Sequence, residues 1–248
     1  MEIVMSELLK VENLGRGNIL KNISFEITEG EMTAIMGPSG SGKSTLLYNI
    51  SGMDQTDAGR VTLGRTEITG MNEDGKADLR LRRMGFVFQQ MNVLDNLNII
   101  DNIVLPAVHA DKKRRKEHYK KAEALMDSLH IRDLAQRRVN EVSGGQLQRA
   151  CICRSMIMDP EIIFADEPTG ALNQTSASEV IEAFLRMNRE GATIMMVTHD
   201  SRIAAVCERI LYILDGEIRG ELVLGKYLED EKREREQKTI RWLENMGW

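Results

Sequence analysis

The run Gly37-Pro38-Ser39-Gly40-Ser41-Gly42-Lys43-Ser44-Thr45 constrains this chain more than any other. It fits G-x-x-x-x-G-K-[ST], a loop whose glycines let backbone N–H groups close around phosphates while a lysine reaches the terminal ones. The flanks suit such a loop. Glu31 to Met36 reads as the buried strand feeding it, and Ser44 to Ser51 as a helix whose positive end faces the phosphates. These residues point to an α/β fold that holds a nucleoside triphosphate.

A second glycine-rich turn, Val142-Ser143-Gly144-Gly145-Gln146, stands ahead of another helical pattern, so its N–H groups and the Ser143 hydroxyl can also donate to an anion. Two cradles close on a nucleotide from two sides. Ile162-Ile163-Phe164-Ala165-Asp166-Glu167 is an apolar strand ending in two carboxylates. The first is placed to hold Mg2+ through water, and the second to orient and deprotonate an attacking water. Thr193 to Thr198 is another buried-strand pattern, and it leads into His199-Asp200. A histidine at the carboxyl end of such a strand lies where a γ-phosphate would sit.

With these motifs in this order, the chain resembles the ATP-binding subunit of an ABC transporter over residues 8 to 220 or so. The correspondence is Walker A at 37–45, a Q-loop glutamine at Gln89 after Gly85-Phe86-Val87-Phe88, the signature at 142–146, Walker B at 162–167, a D-loop at 170–173 and the switch histidine His199. The resemblance implies an α/β P-loop NTPase core with a mostly parallel sheet, an antiparallel β-subdomain and a helical subdomain carrying the signature. It implies ATP and Mg2+ as ligands. Gly37, Ser39, Gly40, Ser41, Gly42, Lys43, Ser44 and Thr45 would cradle the triphosphate, with Lys43 on the β- and γ-phosphates and Thr45 on the α-phosphate. Gly40 and Gly42 are expected to allow a backbone approach that a Cβ would obstruct. Ser44 and Gln89 would ligate Mg2+ directly and Asp166 through water; Glu167 would act as general base, and His199 would bridge γ-phosphate and water. In the family the signature belongs to the opposite subunit. ATP would then lie between Walker A of one chain and Ser143, Gly144, Gly145 and Gln146 of its twin, so a homodimer or paired ATPase subunit is expected.

Three departures stand out. Leu8 to Leu20 holds no aromatic to stack on adenine, which leaves an apolar contact through Leu14 and loose discrimination between ATP and GTP. Val142 opens the signature in place of leucine. The D-loop Gly170-Ala171-Leu172-Asn173 ends in Asn where the family has Asp; the carbonyl acceptor is kept and the charge lost. Asn173, Pro168-Thr169-Gly170 and Met195-Met196-Val197-Thr198-His199-Asp200 are similar to ATPases of antimicrobial-peptide resistance and export, grouped with macrolide-exporter and lipoprotein-releasing subunits. Met91 to Pro106 resembles the stretch lining a groove for a permease's cytoplasmic helix; the same apolar residues also suit plain core.

Composition sets outer limits. With 248 residues, 42% hydrophobic and 29% charged, the chain suits one large domain plus a helical insertion: an ATPase domain over 1–225 with the insertion at about 90–160, then a charged helical tail over 226–248. A net charge of −5 argues against nucleic acid as partner. There is no apolar stretch of membrane-span length, and Glu2 and Glu7 replace a basic leader. A cytoplasmic protein, peripheral at the inner face of the membrane through a transmembrane permease, is therefore expected. The alternative is a soluble ABC ATPase of translation or DNA repair, but the chain carries neither a second ATPase domain nor a long coiled-coil insertion. Cys151, Cys153 and Cys207 have no metal-ligand spacing and read as buried thiols. Lys112-Lys113-Arg114-Arg115-Lys116 reads as a solvated helix start or a lipid-facing patch. Glu229 to Glu236 reads as an exposed, salt-bridged helix. Both tryptophans, Trp242 and Trp248, lie in the tail, which either packs on its own domain or docks a partner.

Overall fold

The computed structural model describes residues 6–248; Glu2 and the first five positions of the expected 1–225 domain lie outside the described residues. Along the chain come β1 (Glu7–Arg16), β2 (Leu20–Thr28), β3 (Met32–Met36), α1 (Lys43–Ile50), β4 (Ala58–Leu63), β5 (Thr66–Glu67), α2 (Glu73–Arg83), β6 (Met84–Phe88), α3 (Ile99–Ala110) and α4 (Arg115–Ser128). They are followed by α5 (Gly144–Met156), β7 (Ile162–Asp166), α6 (Gln174–Arg189), β8 (Thr193–Val197), α7 (Ser201–Ala204), β9 (Arg209–Leu214), β10 (Glu217–Val223) and α8 (Lys232–Asn245). They form two compact units, one reaching to Lys76 and resuming at Glu190–Trp248, the other Ala77–Arg189.

The first unit holds an antiparallel sheet in the order β2-β1-β4-β5 and a second set in the order β10-β9-β3-β8. In the second set β3 runs parallel to both β8 and β9, while β10 turns back against β9. Every residue of β3 and of β8 is buried, because a parallel strand covered on both faces leaves no position for a solvated side chain. Strand β2 instead alternates buried and exposed, the mark of a sheet with one wet face. β4, β5, α2 and β10 were not marked by an apolar run. Glu217–Val223 alternates half-buried and exposed positions and is recruited as a strand by pairing with β9.

Glu31 anchors the approach to the phosphate loop. Its carboxylate accepts from Arg209 Nε at 2.6 Å, from Thr33 Oγ1 at 2.8 Å and from the Thr28 amide at 2.9 Å, tying the end of β2 and the starts of β3 and β9. Truncating Arg209 would leave the buried Glu31 carboxylate without its counter-ion.

The tail packs on this same unit. Arg235, Thr239 and Leu243 on one face of α8 are buried, and Trp242 and Trp248 meet Tyr212 of β9 edge to face, each with ring centres 6.2 Å apart. Arg235 departs from the expected solvated ion-pair helix. Its guanidinium is 4% exposed and donates to the main-chain carbonyls of Ala205, Cys207, Leu224, Gly225 and Lys226. Burial lowers its pKa from the ordinary arginine value, and Glu231 partly counters this. Five donors in a rigid fork allow one arginine to hold two stretches of chain end together.

In the second unit β6 and β7 pair in parallel, and α3, α4, α5 and α6 pack as neighbours. Ile99, Ile100 and Ile103 are core, whereas Leu94 is 47% and Leu105 43% exposed, so the apolar stretch from Met91 to Pro106 divides between interior and surface. Residues 112 to 116 are all exposed, and α4 starts later than the charge pattern suggested, after a single 3-10 turn over Lys112–Arg114 that Asp111 caps.

Candidate functional site

Parallel pairing of β3 and β8 sets the first half of the site. Ile35 stands opposite Val197, and the Thr198 amide donates to Ile35 O at 3.2 Å. Gly37 and His199 therefore both follow the same rung, at the carboxyl ends of neighbouring strands, where an open α/β sheet leaves its crevice. His199 is exposed there. The next residue, Asp200, caps α7 and accepts from the Arg202 amide at 2.8 Å. Burial disfavours ionisation of Asp200, yet the hydrogen bonds and charge of Arg202 outweigh it and hold the carboxyl below its usual range.

Gly37 leaves the sheet at φ 152°, and a Cβ there would come within 2.1 Å of Ile213 O and 2.7 Å of Ser41 Oγ. Only glycine closes this turn. Gly42, at φ 99°, begins α1, and a Cβ on it would press Ile19 O at 3.1 Å. Gly40, expected to need similar clearance, meets no neighbouring chain; its constraint is its φ of 81°. Lys43 Nζ donates to the carbonyls of Gly37 and Pro38, both at 2.8 Å, so the ammonium is folded over the loop. Ser44 and Thr45 occupy the first turn of α1 and are half-buried.

The donor set fits a triphosphate. Ser41 Oγ is buried without a hydrogen-bond partner, an orphan that an acceptor oxygen would satisfy, and it lies against Gly37, the residue whose carbonyl takes the Lys43 ammonium. Leu14, expected to meet the base, is 0% exposed and cannot. Ile19 is the apolar residue on offer: it is 49% exposed and lies against Gly42. Its side chain lies in the turn between β1 and β2, outside both paired strands, and so stays at the surface where Leu14 is covered.

The second half is set by β6 and β7. Phe88 stands opposite Asp166, so Gln89 and Glu167 each follow that rung by one residue. Asp166 is 8% exposed. Glu167 has φ 48°, a left-handed conformation that a non-glycine residue adopts at a cost of about 1–3 kcal/mol, and its carbonyl accepts from the Gly170 amide at 3.0 Å. Gly170 packs on Gln89: a Cβ there would lie 2.9 Å from Gln89 Nε2.

Ser143 is the N-cap of α5. Its Oγ accepts from the Gln146 amide at 3.3 Å, and Gln146 Oε1 accepts from the Ser143 amide at 2.8 Å, a reciprocal capping box. The cap uses the hydroxyl as acceptor, which leaves its O–H as donor toward an anion. Gly144 and Gly145 make the first turn of α5 rather than preceding it. Gly145 also packs against α6, since a Cβ there would lie 2.7 Å from Ser176 Cβ.

Two supporting residues, Gln148 and Arg154, escaped the motif reading. Gln148 Nε2 donates to Phe88 O at 3.2 Å, and Arg154 donates to Met91 O at 2.6 Å and Asn92 O at 2.8 Å, so α5 holds the chain on both sides of Gln89. Asn173 Oδ1 accepts from the Ser176 amide at 2.9 Å. The spacing of Gln148, Cys151 and Arg154 on one helix face was the available signal. The cysteines are free and buried, and burial raises all three thiols, Cys207 to about 12. The expected site residues thus fall into two sets: residues 37–45 with His199 in one unit, and Gln89, Ser143–Gln146, Asp166 and Glu167 in the other.

The model of the ABC transporter family matches residues 20–170. The chain is 40% identical over 240 residues to the macrolide export ATP-binding/permease protein MacB of Campylobacter jejuni, covering 96% of this chain; it spans only 37% of that protein's length. It is 40% identical over 222 residues to the bacitracin export ATP-binding protein BceA of Halalkalibacterium halodurans, covering 89% of this chain and 86% of that one. Among solved structures, a bacterial ABC transporter cassette in dimeric form is 33% identical and covers 89% of this chain and all of that one, with a TM-score of 0.78. The same cassette in a post-hydrolysis state with ADP and phosphate has a TM-score of 0.76.

Proposed function

Because this chain belongs to the ABC transporter family, in its ATP-binding cassette, we propose that it binds and hydrolyses ATP as a dimer to drive a membrane permease of an export or resistance system. One observation carries the nucleotide reading: a buried, orphaned Ser41 hydroxyl beside Lys43 in a loop that only glycine at position 37 can close. Lys43 and the first-turn N–H groups of α1 take the β- and γ-phosphates, and Ser44 and Thr45 extend this to the metal and the α-phosphate. Mg2+, when bound, draws charge from the γ-phosphate. Ser44 and Gln89 would hold it directly and Asp166 through water, all oxygen donors suited to a hard cation. Glu167 accepts a proton from the attacking water, His199 steadies that water against the phosphoryl group, and the leaving oxygen departs with ADP.

Ser143, Gly144, Gly145 and Gln146 complete the site of a second copy, so that ATP holds two chains together and its cleavage releases them. The dimeric cassette above supports this arrangement. We place the ATPase at 1–225, with a helical insertion at about 90–160 and the tail at 226–248. The export names of the relatives favour this transport role over a soluble ATPase of translation or repair. Among the described residues no helix is long and apolar enough to cross a membrane, in keeping with attachment at the inner face through the permease. The test is phosphate release from Mg-ATP by the purified chain, alone and assembled with its permease. Turnover that survives Lys43→Ala would sink the assignment.

A further inference from the structure

Gln89 begins a stretch that has neither helix nor strand. Strand β6 ends at Phe88, and α3 takes hold of the chain only at Leu94, whose amide donates to Asn102 Oδ1 at 2.8 Å. An exposed glutamine at the start of such a loop samples many positions unless its flanks are tied down.

The ties come from α5. Arg154 Nη2 donates to Met91 O at 2.6 Å and Nη1 to Asn92 O at 2.8 Å. Cys151 Sγ adds a weak contact to Met91 O at 3.5 Å, and Gln148 Nε2 donates to Phe88 O at 3.2 Å. Among the described residues, α5 supplies every hydrogen bond to the main chain of residues 91–93. Gln89 therefore hangs between one anchor just before it and another just after it.

The second anchor calls for arginine. A planar fork offers separate N–H groups to two successive carbonyls, which an ammonium on a flexible stem does not hold together. Asn92 marks the restraint: its φ is 46°, in the left-handed region that non-glycine residues keep where their surroundings fix it. Asn92 is exposed, so the hold on its carbonyl, not packing of its side chain, is the restraint present.

We infer that Arg154 is a positioning residue for Gln89: by clamping the Met91 and Asn92 carbonyls it sets where the glutamine oxygen is offered to Mg2+. This rests on the ligand role proposed above for Gln89.

The test titrates a fluorescent ATP analogue into the full chain with and without Mg2+; the ratio of the two affinities reads how well the metal is held. Gln89→Ala should lower that ratio about tenfold, and Arg154→Met and Asn92→Val should each lower it too. Affinity without Mg2+ should stay unchanged, because residues 37–45 belong to the other unit. Asn92→Val reaches the clamp from the loop side, since a β-branched residue resists the left-handed region while α5 is untouched, and it reads the clamp even if Arg154→Met does not fold. In a Gln89→Ala background neither change should lower the ratio further, whereas general damage adds to the loss. An unchanged ratio in Arg154→Met or Asn92→Val, beside a lowered one in Gln89→Ala, overturns the positioning role and leaves Gln89 as ligand. Fully additive losses overturn it as well. A ratio indifferent to Gln89→Ala removes the ligand, and the positioning role with it.

Discussion

Asn173 Oδ1 accepts the Ser176 amide at 2.9 Å, which makes the last D-loop residue the cap of α6. Ser176 is also the residue whose Cβ would meet a side chain placed at Gly145, so D-loop and signature share one neighbour. Asn and Asp are nearly equal as N-caps, and the lost charge matters little to the helix itself. Asn173→Asp should leave urea-unfolding stability within about 0.5 kcal/mol, whereas Asn173→Ala should lower it by about 1 kcal/mol. Equal losses in both variants would remove the capping role.

Glu167→Gln retains the shape of the side chain without the base. Phosphate release should fall about 10²–10⁴-fold while ATP is still bound, and ATP-dependent dimers should accumulate on size exclusion. Brisk turnover would assign the base elsewhere.

Ile19 offers an exposed apolar face beside Gly42, and such a face does not distinguish purines. ATP and GTP should compete for the chain within a few-fold of each other. Ile19→Tyr should tighten both through ring stacking worth roughly 0.5–1.5 kcal/mol, read by displacement of a fluorescent analogue. An unchanged affinity would place the base away from this turn.

Arg235 is the hinge pin of the tail. Replacing it with Met leaves buried carbonyls without donors, and a loss on the order of 3 kcal/mol is expected in thermal unfolding. Trp242 and Trp248 are the chain's two tryptophans and both rest on Tyr212, so their fluorescence reports tail release directly. A variant with native fluorescence and native melting would show the arginine to be dispensable.

Burial pushes the Cys207 thiol up to about 12. Its folded pKa exceeds the unfolded value of about 8.5, so the folded state holds the proton more tightly. That stabilisation is complete below the unfolded value and fades as pH rises toward 12. Cys207→Ala should flatten the alkaline side of the stability profile, and the native thiol should resist Ellman's reagent at pH 8 until urea is added. Rapid native labelling would contradict the burial.

Much of this was legible because the motifs are local. A phosphate loop needs its glycines and lysine within a few residues, and strands buried on both faces read as unbroken apolar runs, as β3, β7 and β8 do. Strand β10 was hidden, since an edge strand with mixed polarity is defined by its partner β9. The misplacement of the base contact at Leu14 has a similar origin. Which of two apolar residues near a turn is left outside depends on how β1 and β2 close, and the chain buries Leu14 while exposing Ile19.

The order and spacing of the motifs thus determined the family and the α/β class and nominated the candidate nucleotide residues, because backbone N–H cradles and carboxylate pairs are built from neighbours in the chain. The pairing of Ile35 with Val197, which brings His199 beside the phosphate loop, was decided only in three dimensions. So was the seat of Arg235 among carbonyls of distant segments. Each depends on which distant segments exclude water from one another, and that is a property of packing, not of sequence order.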